Sequence, residues 1–365
     1  MKVEIRALTG LRGAAATAVM IDHYMAVDFT RPFPWPLLPH GYVAVDLFMI
    51  LSGFVLAMSY EARFATMATP AFTTLFLKTR IARLYPIYAL MTLACFVLCR
   101  LGWLTFLSPD ASWSALAANL LAIQTWIWPG NSLDGPGWSL SAEWAANLLF
   151  PALMPVMLAR SSRSAAVFAA ASVVALLVSA VLFGTLFDVP ARGAVNIISG
   201  PEALGRCVSE FIIGMYLWRV KSRARWPRVF SGDAVQAGLV AAMVLLLLDP
   251  ALDVAFVLLS GLLILGLSFD RSALSRLLAS GPAHALGVIS YSIYIIHIAL
   301  LPLRDVLARR FDAASVPHSW ISAVACTAAV AIGLAVLGHY LVEVPAQRWL
   351  LRLSRRPLRT PPLSP

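Results

Sequence analysis

An arginine and a histidine, Arg12 and His23, stand eleven positions apart inside one apolar run. Eleven residues make about three helical turns, so on a helix the two share a face about 16 Å apart. A histidine titrates near neutrality and can take a proton from a hydroxyl, with a carboxylate to orient it. Clustered guanidinium groups bind phosphates. Other ionisable residues fall inside apolar stretches in the same way: Asp22, Asp46, Glu143 and His297, with Arg80 and Arg83 one turn apart where a further stretch begins. Burying a charge in hydrocarbon is costly, so such residues usually face a bundle interior and mark a site. Each also has a plainer role open to it. Histidines and carboxylates can simply satisfy neighbouring helices, Arg80 and Arg83 can act as topology signals, and Ser52-Gly53 can be a small-residue packing contact. Arg206 and Glu210, at i and i+4, read as a structural pair.

The elements that must position these groups are long and apolar. Of 365 residues 60% are hydrophobic and only 13% charged, against about a quarter charged in an ordinary soluble domain. Apolar segments recur at 8–27, 42–60, 84–104, 113–128, 139–158, 165–184, 201–218, 233–248, 254–269, 286–303 and 320–342. The net charge of +10 does not indicate nucleic acid, because the Lys and Arg residues gather between apolar runs, where membrane topology puts them. Cys95, Cys99, Cys207 and Cys326 lie in apolar stretches without metal-binding spacing, so neither a disulfide nor a metal site is expected.

Charge placement decides how many segments cross. If 113–128 does not cross, 20 Lys and Arg residues lie on the cytoplasmic side and 6 outside; if it crosses, the split becomes 10 and 16. The positive-inside rule selects the first arrangement. The expected fold is therefore an all-α polytopic membrane bundle of about ten transmembrane helices, with 113–128 re-entrant or on the outer surface and both termini cytoplasmic. Residues 1–350 form one membrane domain and 351–365 a basic, Pro-rich tail. On this map His23, Asp22, Asp46, Glu143 and His297 fall in the outer third, while Arg12, Arg80 and Arg83 lie towards the cytoplasm. The pattern is an inner anion site below an outer acid/base site, with Asp46 or Asp22 as the group that would orient His23.

Six blocks in order resemble acyltransferase family 3, the integral membrane O-acyltransferases. They are Arg12-x10-His23; Gly41-Tyr-Val-Ala-Val-Asp-Leu-Phe48 followed by Leu51-Ser-Gly-Phe54; Arg80-Ile-Ala-Arg83-Leu-Tyr-Pro86; Trp138-Ser-Leu-Ser-Ala-Glu143; Ile289-Ser-Tyr-Ser-Ile-Tyr294 with His297; and Val342-Glu-Val-Pro345. The resemblance implies an acyl-coenzyme A donor, usually acetyl-CoA, no permanently bound cofactor, and a hydroxyl acceptor on a sugar, a glycan or another small molecule. It points to His23 as the catalytic histidine and to Arg12, Arg80, Arg83, Ser52 and Gly53 on the donor side. Trp138, Ser139, Glu143 and His297 are expected towards the acceptor, and Glu343 matches a family position without an assigned role. The implied location is the cell membrane. The rival class is a secondary transporter or flippase with the buried His, Asp and Glu residues as a proton relay. Transporters often carry internal repeats, and no repeat is apparent.

The ten- and eleven-crossing arrangements place Arg192 on opposite sides. Alkaline phosphatase fused after Arg192 is expected to be active, and a green fluorescent protein fused there dark. A fluorescent fusion at Arg192 would reverse the assignment.

Overall fold

The computed structural model describes residues 4–25, 41–104, 111–126, 132–158, 162–186, 198, 200–224 and 226–353. Most of the expected tail 351–365 lies outside these residues. Among the described residues every regular element is helical. In chain order they are α1 (Arg6–Met25), α2 (Ala44–Thr66), α3 (Thr69–Arg100), α4 (Trp113–Leu120), α5 (Gly137–Leu158), α6 (Ser162–Leu186), α7 (Gly200–Arg223), α8 (Asp233–Leu246), α9 (Asp253–Leu267), α10 (Ala273–Leu278), α11 (Gly281–Val288), α12 (Ser290–Ile296), α13 (Leu301–Ala313), α14 (Ser319–Leu337) and α15 (Val344–Leu353).

Among the described residues six helical stretches are long and apolar enough to cross a bilayer: Gly41–Thr66, Thr69–Arg100, Arg163–Val181, Pro250–Leu267, Ser290–Ala313 and Ser319–Leu353. The chain is thus an all-helical membrane bundle. Helices α1, α5 and α7, with 20, 22 and 24 residues, have the length but are too polar to stand among the six. These are the helices that carry Arg12 and His23, Glu143, and Arg206 with Glu210.

Three elements differ from the apolar map. The third span starts at Thr69, where Pro70 occupies the first turn and its missing N–H does no harm. Arg80 and Arg83 therefore sit about three turns inside a 32-residue helix rather than at its start. Segment 113–128 contains only the eight-residue α4, whose rise of about 12 Å cannot cross a core of about 30 Å. Ser112 caps it by accepting from the Ala115 N–H at 3.2 Å. After it the chain turns at Ala122, which has φ +55°, and lies against the start of α5. Gln124 donates to the Gly137 carbonyl at 2.9 Å, Thr125 to the Trp138 carbonyl at 2.8 Å, and Ser141 to the Ala122 carbonyl at 2.8 Å. Irregular backbone at membrane depth needs such partners from the protein itself. Finally, the expected crossing 286–303 is broken. It passes from α11 to α12, through a 3-10 turn at His297–Leu300, into α13 with Pro302 in its first turn.

The site-bearing helices are held by two kinds of contact. Helix α2 packs along α7 so closely that a Cβ on Gly53 would stand 2.0 Å from the Phe211 carbonyl, and one on Gly214 1.9 Å from that of Ile50. A cluster of aromatic rings ties α3 to α5: Phe76 stacks on Phe150 at 4.5 Å between centroids, and Phe72 and Phe211 close around them. Phe76 is one turn before Arg80, so this cluster fixes the level at which Arg80 meets α5.

A methyl group at Gly214 must push α2 away from α7. Gly214→Ala is expected to lower the unfolding temperature in detergent. Gly238→Ala, where a Cβ meets nothing within 4 Å, should leave it unchanged or raise it slightly, as Ala favours a helix by roughly 1 kcal/mol over Gly. Equal unfolding temperatures would refute the close crossing.

Candidate active site

Two of the expected residues meet at one point. His23 lies in the last turn of α1 and His297 at the break after α12. The Nδ1 of His23 is 2.9 Å from the Nε2 of His297, and the rings lie nearly parallel with centroids 5.1 Å apart. Chemistry assigns the protons. The Nδ1 of His297 is 3.2 Å from the Ile293 carbonyl, which can only accept, so this nitrogen carries the hydrogen. In a neutral His297 the Nε2 is then an acceptor, and His23 must donate from Nδ1. A neutral His23 is left with its lone pair on Nε2, the form a general base needs. The sequence suggested a carboxylate, Asp46 or Asp22, to orient His23, and the structure puts the imidazole of His297 at its Nδ1. Tyr24 adds a hydrogen bond from its hydroxyl to the His297 carbonyl at 2.7 Å.

The arginines gather around two carboxylates. Arg80 pairs with Glu143 at 2.5 Å, and Ser52 donates to the same Glu143 oxygen at 2.8 Å, so α2, α3 and α5 converge here. Arg12 is within electrostatic reach of Arg83, Glu143, Arg80 and Glu343. Glu343 accepts from Ser292 at 3.2 Å and from the Nδ1 of His339 at 2.9 Å. Both His339 and Glu343 belong to a π-helical turn, Gly338–Glu343, inserted between α14 and α15. Such turns displace side chains from the regular helical faces and often occur at functional sites. Three guanidinium groups face two carboxylates, which leaves a formal positive excess. Glu143 is 19% exposed, and Arg12, Arg83 and Ser52 are only half-buried, so solvent reaches this group. Glu143 thus stands with the arginines rather than at the level of His23, because α3 is longer than expected and carries Arg80 deeper into the bundle.

A third group is sealed. Asp46 and Glu210 flank the Nε of Arg206 at 3.5 and 3.9 Å, and each of the three side chains is at most 2% exposed. The guanidinium also lies over the Trp138 ring at 5.1 Å. The structural pair expected of Arg206 and Glu210 is therefore a triad, and its third member is Asp46. Helix α2 turns Asp46 towards α7, while Ser52, six residues on, is turned towards α5.

The other expected site residues are placed as follows. Asp22 is half-buried against Gly41, where an added Cβ would come within 2.4 Å of its own. Ser139 exchanges a hydrogen bond of 2.8 Å with Tyr294, whose ring lies 6.0 Å from that of His297. Gly53 sits in the α2–α7 seam, the packing contact already open to it from sequence. Sequence reasoning missed three residues: Tyr24, His339 and Arg304. His339 carried one available signal, its i, i+4 spacing from Glu343. Arg304 carried another, seven residues from His297 and so two turns along the same face. Among the described residues no cluster of His, Cys, Asp and Glu is arranged to hold a metal ion.

Known proteins can now be set beside this geometry. Residues 5–340 match the family model of acyltransferase family 3, described as an acyltransferase domain. Acyltransferase MdmB of Streptomyces mycarofaciens is 28% identical over 386 aligned residues, covering 99% of this chain and 95% of that protein. Protein 2 in picA locus of Rhizobium radiobacter is 44% identical over 95 residues, which is 25% of this chain and 45% of that protein. No solved structure gives a significant match. The family model takes in α1, where Arg12 and His23 stand, and extends to the π-helical turn beside Glu343; this chain accordingly belongs to acyltransferase family 3 and is an acyltransferase with membrane helices.

Proposed function

We propose that the protein is a membrane O-acyltransferase that moves an acyl group, acetyl in the first instance, from acyl-CoA to a hydroxyl. The acceptor is a cell-surface or exported glycan or another carbohydrate-containing molecule. The observation that carries this reading is the hydrogen-bonded pair His23–His297, whose His23 sits on the same helix as Arg12 and about 16 Å from it. The arginine group would take the phosphates of coenzyme A through charge-assisted hydrogen bonds. The thin pantetheine arm would run along the shared face of α1 towards His23. Trp138, Ser139 and His297 would line the acceptor side. The bundle would make ten crossings of the cell membrane over residues 1–350, with both termini and the basic tail 351–365 cytoplasmic.

In the proposed step the Nε2 of His23 takes the proton of the acceptor hydroxyl as its oxygen bonds to the thioester carbonyl carbon. The tetrahedral intermediate collapses with cleavage of the carbon–sulfur bond. The thiolate of coenzyme A leaves and recovers the proton from His23, so the reaction releases no net proton. His297 keeps His23 in the tautomer with its lone pair on Nε2, the part that a carboxylate plays elsewhere. A covalent acyl-histidine formed on the same nitrogen is the variant. Trapped acyl label on purified protein without acceptor would select it over direct transfer.

Purified protein with radiolabelled acetyl-CoA is expected to transfer or hydrolyse the acetyl group, and His23→Ala to lose this activity. Full activity in His23→Ala would end both routes. A protein that binds no coenzyme A but moves a solute across vesicles would be a carrier instead. The donor assignment has its own test. Arg83→Ala is expected to raise KM for acetyl-CoA about tenfold, equivalent to one lost charge-assisted hydrogen bond of roughly 1.5 kcal/mol. It should leave KM for acetyl-pantetheine, which lacks the phosphates, unchanged. A parallel rise for both donors would move the arginines away from the phosphates.

A further inference from the structure

The last turn of a helix leaves its carbonyls without intrahelical partners. His23 and Tyr24 are in that position at the end of α1. Their carbonyl oxygens are taken by one side chain from another part of the chain. The Nη1 of Arg304, on the first turn of α13, lies 3.3 Å from the His23 oxygen and 3.2 Å from the Tyr24 oxygen. The rest of the guanidinium is fixed as well. Its Nε and Nη2 donate to one oxygen of Asp305 at 2.9 and 2.6 Å, and its plane lies over Trp320 at 4.7 Å, where α14 begins. The residue is buried, at 6% exposure.

The bond from Tyr24 to the His297 carbonyl runs the opposite way, from the end of α1 to the break between α12 and α13. The main-chain carbonyls of both histidines are thus held by side chains from the opposite segment: His23 by Arg304, and His297 by Tyr24. The imidazole pair lies between these two bonds. A cation at the negative end of a helix is favourable in itself, but a lysine could supply that. The two-carbonyl reach combined with the Asp305 and Trp320 contacts requires a planar fork with several donors.

We propose that Arg304 is a positioning residue for acyl transfer, holding the end of α1 against the α12–α13 break so that His23 and His297 stay in hydrogen-bonding register. This rests on the reading of His23 as the base. Among the described residues Arg304 reaches the main-chain carbonyls of His23 and Tyr24 and neither imidazole, so its loss should slow the chemical step without weakening the donor. The test is steady-state kinetics of purified full-length protein with acetyl-CoA, with unfolding temperature measured alongside. Arg304→Met is expected to lower kcat about 10- to 100-fold, the scale of a displacement of roughly 1 Å at a reacting group. KM for acetyl-CoA should stay within about twofold, as expected when no ground-state contact is lost. R304K, which retains the charge and part of the reach, should recover some of kcat. If Arg304→Met does not fold, Arg304→Gln, with two N–H donors and no charge, is measured in its place with the same expectations. An unchanged kcat, a loss confined to KM, or an R304K no better than R304M would overturn the proposal. His23→Ala, measured in parallel, separates the two ideas: if it is inactive while Arg304→Met is fully active, only the positioning role fails; if it is active, the functional reading fails first.

Discussion

Charge inside hydrocarbon must be compensated by charge, and this constraint organises the bundle. Arg206 is the largest of the fully buried side chains and is tolerated because Asp46 from α2 and Glu210 from its own helix lie on either side of it. Removing one partner of such a pair leaves an uncompensated buried charge, at a cost of about 3–5 kcal/mol. The α2–α7 seam is therefore fixed twice: by the steric fit at Gly53 and Gly214 and by this triad. The same logic closes α3 on α5 through Arg80 and Glu143. The two groups differ in what they leave over. The triad is sealed, with two carboxylates to one guanidinium, whereas the arginine group has a cation in excess and is open to solvent.

Much of this was legible from residue types and their spacing. Arg12 and His23 on one helix and the membrane bundle both followed from periodicity and composition. What was not legible is which neighbour each polar group would find. Depth along separate helices put Glu143 and Asp46 beside His23. Rotation about the helix axes decided otherwise, turning Asp46 towards Arg206 and Glu143 towards Arg80. Depth estimates also depend on where a helix begins, and the hydropathy of α3 rises only well after its true start at Thr69. The partner of His23 was on the page as His297, but its role was hidden by the break in the helix that presents it. An unbroken span over 286–303 would have given no reason to set its backbone carbonyl opposite Tyr24.

Two departures from regular helix lie beside the histidine pair and the arginine group. The 3-10 turn at His297–Leu300 interrupts one span beside the histidine pair, and the π-helical turn at Gly338–Glu343 interrupts another beside the arginines. Both free backbone groups or redirect side chains, and the first is satisfied by a specific side chain. Tyr24 takes the His297 carbonyl. The second sets His339 and Glu343 side by side, with Ser292 of α12 as the further donor to Glu343. Helix α12 thus touches both levels, with Ser292 at the lower and the start of the break at the upper. It runs beside α1, which does the same with Arg12 and His23.

That shared span bears on the donor. The arginine group and the imidazole pair are joined by rigid helix, so their separation of about 16 Å is not adjustable by a loop. On the proposed reading, a donor held by its charge at one level must present its acyl carbon at the other. An acyl phosphate has its phosphorus only one bridging oxygen away from the carbonyl carbon and could engage only one level at a time. Binding its charge at the arginines would strand the acyl group far from His23, and placing the acyl group at His23 would leave the arginines unused. An acyl thioester on a long, uncharged arm with phosphates at its far end meets both levels together. On the proposed reading, the rigid spacing favours coenzyme A over shorter activated donors on length alone.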